Sequence, residues 1–401
     1  MREMICSGVA SEGVVRCSAT TVRNGPVREG DIIAWESHIR KGTAGSFYLH
    51  PKLVLSDLND YQGSWIYIVP GNSSQDEELG GLAVLCPKGI KVRPLPIPLG
   101  TFSLKGYRLA GDQVVPATHL EVVTKIVQAV ARLLSERETE CLLFEEIECD
   151  SVLWKAVHRV ATERGKQISV FYPSLPQTHH SIRFPDTPGD YWKQFSRKTR
   201  YNLSYNVKRF EHRLVKYTAP SDLPVFLEKA HAVSTRSWQA ALMGVRVRNS
   251  PEERQHWGQI AELGAFRSYI LEHAGTPVAF LIGTYWNGYY IYEETGYEQA
   301  HFQHSPGTVL LYRVIEEMIA IDTPRVFDFG AGDAEHKRMF STHHIRSGPI
   351  LLASRTPRAI FLQVERLSVL AVRAARAVAR RIGIFSYFRR RSRRRSVKES
   401  E

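Results

Sequence analysis

The sequence has few cysteines, and they follow no recognisable pattern. The five cysteines in 401 residues lie at positions 6, 17, 86, 141 and 149. No two of them have the spacing of a zinc site or of a disulfide framework. Free thiols in a reducing compartment account for them, so we expect no bound metal.

Long apolar runs are also missing. No stretch of about 18 apolar residues occurs, the length that a membrane-spanning helix needs. The first 15 residues lack the continuous apolar segment of a signal peptide. We therefore expect a cytoplasmic protein. The hydrophobic fraction of 43% is normal for a globular protein, and 401 residues exceed one ordinary domain.

The apolar periodicity repeats the same order of elements in both halves of the chain: two strands, a long helix, a strand, a helix and a strand. In the first half these elements are predicted at residues 65–69, 82–86, 119–136, 141–147, 152–163 and 168–172. In the second half they are predicted at residues 278–286 and 289–296, from residue 307, near 326, near 337 and at 350–353, after a further strand at 267–273. The sequence predicts an α/β protein built from two copies of one unit.

Residues 301–340 hold the most informative pattern. Ser305 and Pro306 are typical of a helix start, with a hydroxyl cap and a proline in the first turn. Further on, Gly330 and Gly332 predict a turn that delivers Asp333 and, one helical turn later, Lys337. Because a helix N-terminus presents free N–H groups to phosphate, the stretch indicates a site for a phosphate-bearing acyl donor.

These segments resemble a known family. Residues 196–212, 275–318 and 328–340 are similar to the Gcn5-related N-acetyltransferase (GNAT) superfamily, and more narrowly to its CelD-like or BioF2-like branch from bacterial cellulose and exopolysaccharide biosynthesis. The resemblance covers roughly residues 185–345. The doubled arrangement also resembles the Fem-type aminoacyl-tRNA-dependent peptidyltransferases.

The resemblance implies a tandem GNAT-like fold, with mixed central sheets and helices on both faces. A degenerate unit is expected at residues 1–175, a catalytic unit at 185–355, and a basic amphipathic helix with an arginine-rich tail at 357–401. In the superfamily the pyrophosphate of coenzyme A lies on the helix after the fourth strand. The implied donor is acetyl-CoA or another acyl-CoA, held by Gln303, His304, Ser305, Gly307 and Thr308. An ordinary capped helix remains the alternative.

Four residues are catalytic candidates: Asp328, Glu293, Glu294 and Lys337. Asp328 follows an apolar strand and is either a proton acceptor for the attacking amine or the cap of the next turn. Glu293 and Glu294 lie on the strand where the superfamily often has a general base. Because neighbours on a regular strand face opposite ways, at most one of them is expected to face the acyl group.

Five further residues are candidates for substrate binding: Arg200, Arg236, Trp238, Asp333 and His336. Arg200 belongs to a basic helix that either contacts phosphates or is a solvated face. Trp238 is either part of the acceptor site or part of the core. Asp333 and Lys337 form either a surface ion pair or part of the site, and His336 stands where the family usually has tyrosine.

The formal net charge of +12 is concentrated at the end of the chain, where six arginines lie between residues 389 and 395. Residues 357–401 predict attachment to an anionic membrane surface. The alternatives are a helix packed on the folded body, or a tail that binds nucleic acid, which we rank lower.

Together these features predict direct transfer of an acyl group, most simply acetyl, from a coenzyme A thioester to a sugar or nucleotide-sugar. The alternatives are Fem-like transfer from aminoacyl-tRNA and a non-catalytic scaffold in a polysaccharide complex.

Overall fold

The computed structural model describes residues 13–17, 20–24, 44–56, 65–69, 81–92, 102–112, 120–237 and 244–359. It also describes residues 32, 35, 36, 39, 239, 240, 361 and 362. The strands are β1 (Gly13–Cys17), β2 (Thr20–Asn24), β3 (Trp65–Val69), β4 (Gly81–Val92), β5 (Phe102–Leu109), β6 (Cys141–Glu148), β7 (Ile168–Phe171), β8 (Gln177–Arg183), β9 (Arg213–Tyr217), β10 (Ser268–His273), β11 (Thr276–Trp286), β12 (Tyr289–Tyr297), β13 (Val326–Ala331) and β14 (His343–Ser354). The α-helices are α1 (Pro51–Ser56), α2 (Leu120–Ser135), α3 (Val152–Glu163), α4 (Arg197–Arg209), α5 (Leu223–Thr235), α6 (Pro251–Glu262), α7 (Pro306–Ile321) and α8 (Glu335–Phe340).

All of these strands join one continuous sheet, where separate sheets for the two halves were expected. Its order is β1-β2-β3-β4-β5-β6-β14-β8-β13-β12-β11-β10-β9, and β7 pairs with β14 outside this path. Among the described strands the pairs are antiparallel except β5 with β6 and β12 with β13. A mixed sheet results.

The predicted repetition of element order is present, although the strand pair before the first long helix is β4–β5 and not the predicted pair at residues 65–69 and 82–86. In each half an antiparallel pair, β4–β5 or β11–β12, leads into a helix of 16 residues. The next strand then returns parallel to the second strand of the pair. Parallel neighbours require such a crossover, so α2 and α7 have the same structural role.

The two halves exchange their last strands. β8 is the last strand of the first half in sequence, but it pairs with β13 and with residues 343–347 of β14 in the second half. The later part of β14 returns to the first half and lies between β6 and β7. Each half of the sheet is therefore completed by a strand from the other half.

The second half packs helices on both faces of its sheet, as predicted. On β11, Ala279 and Leu281 contact the core that includes α7, whereas Phe280 and Ile282 contact the core that includes α5 and α6. Alternation along a strand sends successive side chains to opposite faces. The α7 face and the α5/α6 face are therefore distinct surfaces, and candidate site residues lie on both.

Strands β5, β8 and β9 are additions to the sequence prediction. Of the predicted C-terminal segment, residue 360 and residues 363–401 lie outside the described residues. Ala359 and Leu362 pack against Phe171 and Leu351, and Arg358 contacts Glu140 at 3.0 Å. The start of this segment thus packs on the first half. No helix in the described part of the chain is both long and apolar enough to cross a bilayer.

We expect Gly283→Ala to destabilise the fold. A Cβ at Gly283 on β11 would lie 2.0 Å from the hydroxyl oxygen of the buried Tyr290 and 2.9 Å from the carbonyl oxygen of Ile291. Such overpacking costs about 1–3 kcal/mol. Gly189→Ala is the control, because a Cβ there meets no atom within 4 Å. Urea unfolding of both variants checks the prediction, which is wrong if they are equally stable.

Candidate functional site

Strands β12 and β13 separate to form a cleft. They pair in parallel only from Tyr289 to Ile291, opposite Val326 to Asp328. Past these residues each strand continues without the other. Tyr297, at the far end of β12, lies against Gly307 in the first turn of α7, where an added Cβ would be 3.2 Å from the tyrosine Cδ1. The N-terminus of α7 therefore lies at the open end of β12.

The first turn of α7 confirms the predicted helix start but not its hydroxyl cap. Ser305 adopts a left-handed conformation (φ 50°), and its side chain makes no capping hydrogen bond. Its carbonyl oxygen instead accepts from the N–H groups of Thr308 and Val309, at 2.9 and 3.1 Å. Before the helix, Gln303 is exposed and His304 stacks on Phe210, with ring centroids 5.2 Å apart.

A β-bulge sets the direction of the two glutamates on β12. Glu294 pairs with Ile282 of β11 and Tyr292 pairs with Gly283, so Glu293 is the extra residue between them. Because the bulge interrupts the alternation of side chains, both glutamates project to the α5/α6 face. The expectation that they face opposite ways is wrong for this reason.

The two glutamates differ in their partners. The guanidinium of Arg246 contacts Glu294 Oε2 at 2.6 and 2.8 Å. Among the described residues, the hydrogen-bond contact of Glu293 is a long one of 3.5 Å from the hydroxyl of Thr284. Burial, followed by the nearby carboxylates of Asp328 and Glu294, raises the pKa of Glu293 to about 8. Glu293 therefore exchanges a proton near neutral pH, as a general base requires.

Asp328 lies on the same face as Glu293. It pairs with Ile291, two residues before Glu293 on β12. Its neighbours on β13, Phe327 and Phe329, are buried in the core with α7. The Oδ1 atom of Asp328 accepts from the N–H of Gly330 at 2.7 Å and from a histidine of the exchanged strand β8.

That histidine, His179, links the two halves. Its Nε2 lies 2.5 Å from Asp328 Oδ1, and its Nδ1 lies 2.9 Å from Glu146 Oε1 on β6. Ser347 of β14 also donates to Glu146, at 2.8 Å. Burial opposes the charged imidazole, but the hydrogen bonds to Asp328 and Glu146 outweigh it and raise the pKa of His179 to about 10. The imidazole is a cation between two carboxylates at neutral pH.

Sequence reasoning missed His179 and Glu146. The only local signal is the histidine pair at residues 179–180, in a stretch without strand-like alternation. Residue 179 is 149 positions from its partner Asp328. Only the exchange of β8 between the halves brings the two together.

Lys337 lies beside these groups but does not pair with Asp333. Its Nζ donates to the carbonyl oxygen of Ala331 at 2.7 Å, within the predicted turn, where Gly330 and Gly332 both have positive φ. Burial lowers the pKa of Lys337, and the charges of Asp328, Glu146 and Glu294 oppose that shift.

Asp333 precedes α8, so the predicted helical spacing to Lys337 does not apply. It contacts Arg338 at 2.8 Å and His180 at 3.2 Å. The interpretation of Asp333 and Lys337 as an ion pair is therefore wrong.

His336 and Tyr292 meet on the other face, beside α7. The Tyr292 hydroxyl lies 3.4 Å from Nε2 of His336. Burial, with smaller contributions from Lys337 and His180, lowers the pKa of His336 to about 4. Its imidazole is thus neutral at physiological pH.

The remaining candidates lie elsewhere. Arg236 caps the C-terminus of α5 and contacts Glu298 at 2.9 Å. Arg200 is exposed on α4. Trp238 lies outside the described residues. Among the residues that the structure places, no group of three or more His, Cys, Asp or Glu side chains is arranged to hold a metal ion.

Comparison with known proteins identifies the domain that carries the cleft. Residues 197–338 match the family model of the acetyltransferase (GNAT) domain. The match covers β9 to β13 and the start of α8, and therefore includes Glu293, Asp328 and the first turn of α7. A search of curated protein sequences found no significant match.

Solved structures resemble nearly the whole chain. A crystal structure of FemX is 9% identical with a TM-score of 0.58, over 86% of this chain and all of that one. The C-terminal domain of a putative lysylphosphatidylglycerol synthetase from Agrobacterium fabrum is 12% identical with a TM-score of 0.48, over 86% and 98% of the two chains. A tandem GNAT protein from the clavulanic acid pathway is 12% identical with a TM-score of 0.42, over 84% and 99%.

At these identities the structural likeness shows the fold alone, and the GNAT domain match shows the enzyme class. The chain is an acyltransferase whose GNAT domain lies at residues 197–338, and its overall α/β fold resembles that of FemX.

We expect Glu293→Gln to stabilise the protein increasingly as pH rises from about 4.5 to 8. In that window the unfolded chain releases the Glu293 proton while the folded protein retains it. Stability is therefore lost with rising pH. The free energy of unfolding of the wild-type protein falls by at most about 1.4 kcal/mol per pH unit, and by less if water reaches the carboxyl group. Urea unfolding at pH 5 and pH 8 measures it, and an equal effect of the substitution at both pH values contradicts the prediction.

Proposed function

We propose that the protein transfers an acyl group, most simply acetyl, from coenzyme A to the amine of a sugar or nucleotide-sugar. The observation that carries the proposal is the position of Glu293. It lies at a bulge beside the cleft between β12 and β13, with a pKa of about 8. The first turn of α7 lies at the end of the same strand.

The donor site in this proposal is the first turn of α7. N–H groups at the start of a helix lack partners within it and attract phosphate. Gly307 leaves its N–H accessible because it has no side chain, and the ring of Tyr297 lies directly beside it. Gln303, His304, Ser305 and Thr308 surround this turn and supply side chains toward the pyrophosphate.

The proposed chemistry is direct attack without a covalent enzyme intermediate. The acceptor nitrogen forms a bond to the thioester carbonyl carbon while its proton passes to Glu293. The bond from carbon to sulfur then breaks, and coenzyme A leaves as a thiolate. Asp328 and Lys337 add fixed charges beside the reacting groups. Catalysis comes from positioning and from proton removal.

The acceptor class rests on the resemblance to the CelD-like branch. A second candidate is Fem-like transfer from aminoacyl-tRNA, and two observations favour it. The chain shares its overall fold with FemX. In addition, α4 carries five basic residues and no acidic ones, with Tyr201 and Tyr205 exposed and stacked 6.1 Å apart. Basic groups with exposed aromatic rings suit nucleic acid.

We expect acetyl-CoA to raise the melting temperature. A ligand at about 100 times its dissociation constant stabilises the native state by roughly 2.7 kcal/mol. Gly307→Val should remove the shift, because the new side chain covers the first-turn N–H and presses on Tyr297. Gly258→Val in α6 is the control and should keep the shift. A shift with tRNA but not with acetyl-CoA would instead favour Fem-like transfer, and no shift with any ligand would favour a scaffold.

We also expect Glu293→Gln to lower kcat by about 10²- to 10⁴-fold, the usual contribution of a general base. Glu294→Gln should have a much smaller effect, because Glu294 is held by Arg246. Release of free thiol from acetyl-CoA with amino-sugar acceptors measures both rates. Equal losses in the two variants would contradict the assignment of the base.

A further inference from the structure

Glu146, His179 and Asp328 form one hydrogen-bonded chain across four strands. It runs from Ser347 on β14 through Glu146 on β6 and His179 on β8 to Asp328 on β13, with contacts of 2.8, 2.9 and 2.5 Å. The side chains of His179 and Asp328 are 19% and 25% exposed, so water competes only partly for these contacts. The GNAT domain match begins at residue 197, so Glu146 and His179 lie outside it.

We propose that His179 and Glu146 are positioning residues for acyl transfer, brought from the first half of the chain by strand exchange to fix Asp328 beside Glu293. This inference rests on the proposed function. It makes the first half a required part of the catalytic site.

The geometry shows how the positioning works. Asp328 Oδ1 already accepts two hydrogen bonds, from His179 Nε2 and from the Gly330 N–H. These bonds fix the plane of the carboxylate and leave Oδ2 for the attacking amine. A histidine can donate from both ring nitrogens only as a cation. The carboxylate of Glu146 at Nδ1 keeps it in that form.

The hydrogen-bonded side chains of Glu146, His179 and Asp328 also determine the electrostatic environment of Glu293. The carboxylate of Asp328 repels a charged Glu293. The cationic His179, whose Nε2 lies 2.5 Å from Asp328 Oδ1, offsets part of that repulsion. Two further charged groups act on these carboxylates: Lys337 on α8 attracts Asp328 and Glu146, and Glu294 on β12 repels Glu293. Removing His179 therefore increases the repulsion, which moves the proton loss of Glu293 to higher pH.

Steady-state kinetics of the full chain test the proposal with His179→Gln, Glu146→Gln and the double variant. We expect His179→Gln to lower kcat by about 10- to 100-fold, the effect of a misplaced reacting group, with little change in KM for acetyl-CoA. The acid limb of its pH profile should move to higher pH. Because Glu146 acts through His179, the double variant should be no slower than His179→Gln.

His158→Gln and Glu140→Gln are matched controls. His158 is hydrogen-bonded at both ring nitrogens, to Trp154 and Tyr172, and Glu140 is paired with Arg358. Both residues lie in the first half, away from Asp328. We expect these variants to keep the wild-type kcat and pH profile.

A second readout does not need turnover. In ¹⁵N-histidine spectra of the full-length protein, the His179 signal is assigned as the one that disappears in His179→Gln. In the wild-type protein this signal should remain that of an imidazolium cation above pH 8. Glu146→Gln should lower its titration midpoint. A His179 signal that titrates near pH 6.5 overturns the inference. A kcat within twofold of wild type in His179→Gln, or independent losses that multiply in the double variant, also overturns it. A wild-type enzyme without any acyl transfer instead overturns the proposed function.

Discussion

The exchange of β8 and β14 is the constraint on which the rest of the structure depends. An edge strand exposes unpaired backbone N–H and C=O groups. Here β6 and β13 would each have such an edge if the halves were separate. Instead β14 covers β6 and β8 covers β13. Each half therefore obtains from the other the backbone hydrogen bonds of an edge that would otherwise be open.

The same exchange determines which side chains can meet. The pairing register of the exchanged strand decides which of its side chains lie on each face of the sheet. A shift of one residue would move every side chain of the strand to the opposite face. Asp328 pairs with Ser181, so His179, two residues away on β8, projects to the same face as Asp328. His180 projects to the opposite face and contacts Asp333. Adjacent histidines therefore have separate roles, and backbone pairing alone decides which one joins the cleft.

Local signals were enough to predict most helices and the α/β class. Residues 152–163 form α3 as predicted, and α2 begins and ends within one residue of the prediction. Strand β8 could not be predicted in this way, because its seven residues are mostly polar and its hydrogen-bond partners are more than 140 positions away. The direction of Glu294 depends on a bulge that no residue pattern marks. Features of the site that depend on long-range pairing were therefore the ones that sequence reasoning missed.

One of the four neighbouring carboxylates at the cleft differs from the others in having no cationic partner among the described residues. Glu294 has Arg246, whereas Asp328 and Glu146 share His179. In the part of the chain that the structure describes, no cation lies within ion-pair distance of Glu293, and its pKa rises to about 8. Enzymes obtain acid and base chemistry at neutral pH by giving similar groups different environments. Here the partner cations of the other three carboxylates come from β8 and from the segment after α5, and the described part of the fold provides none for Glu293.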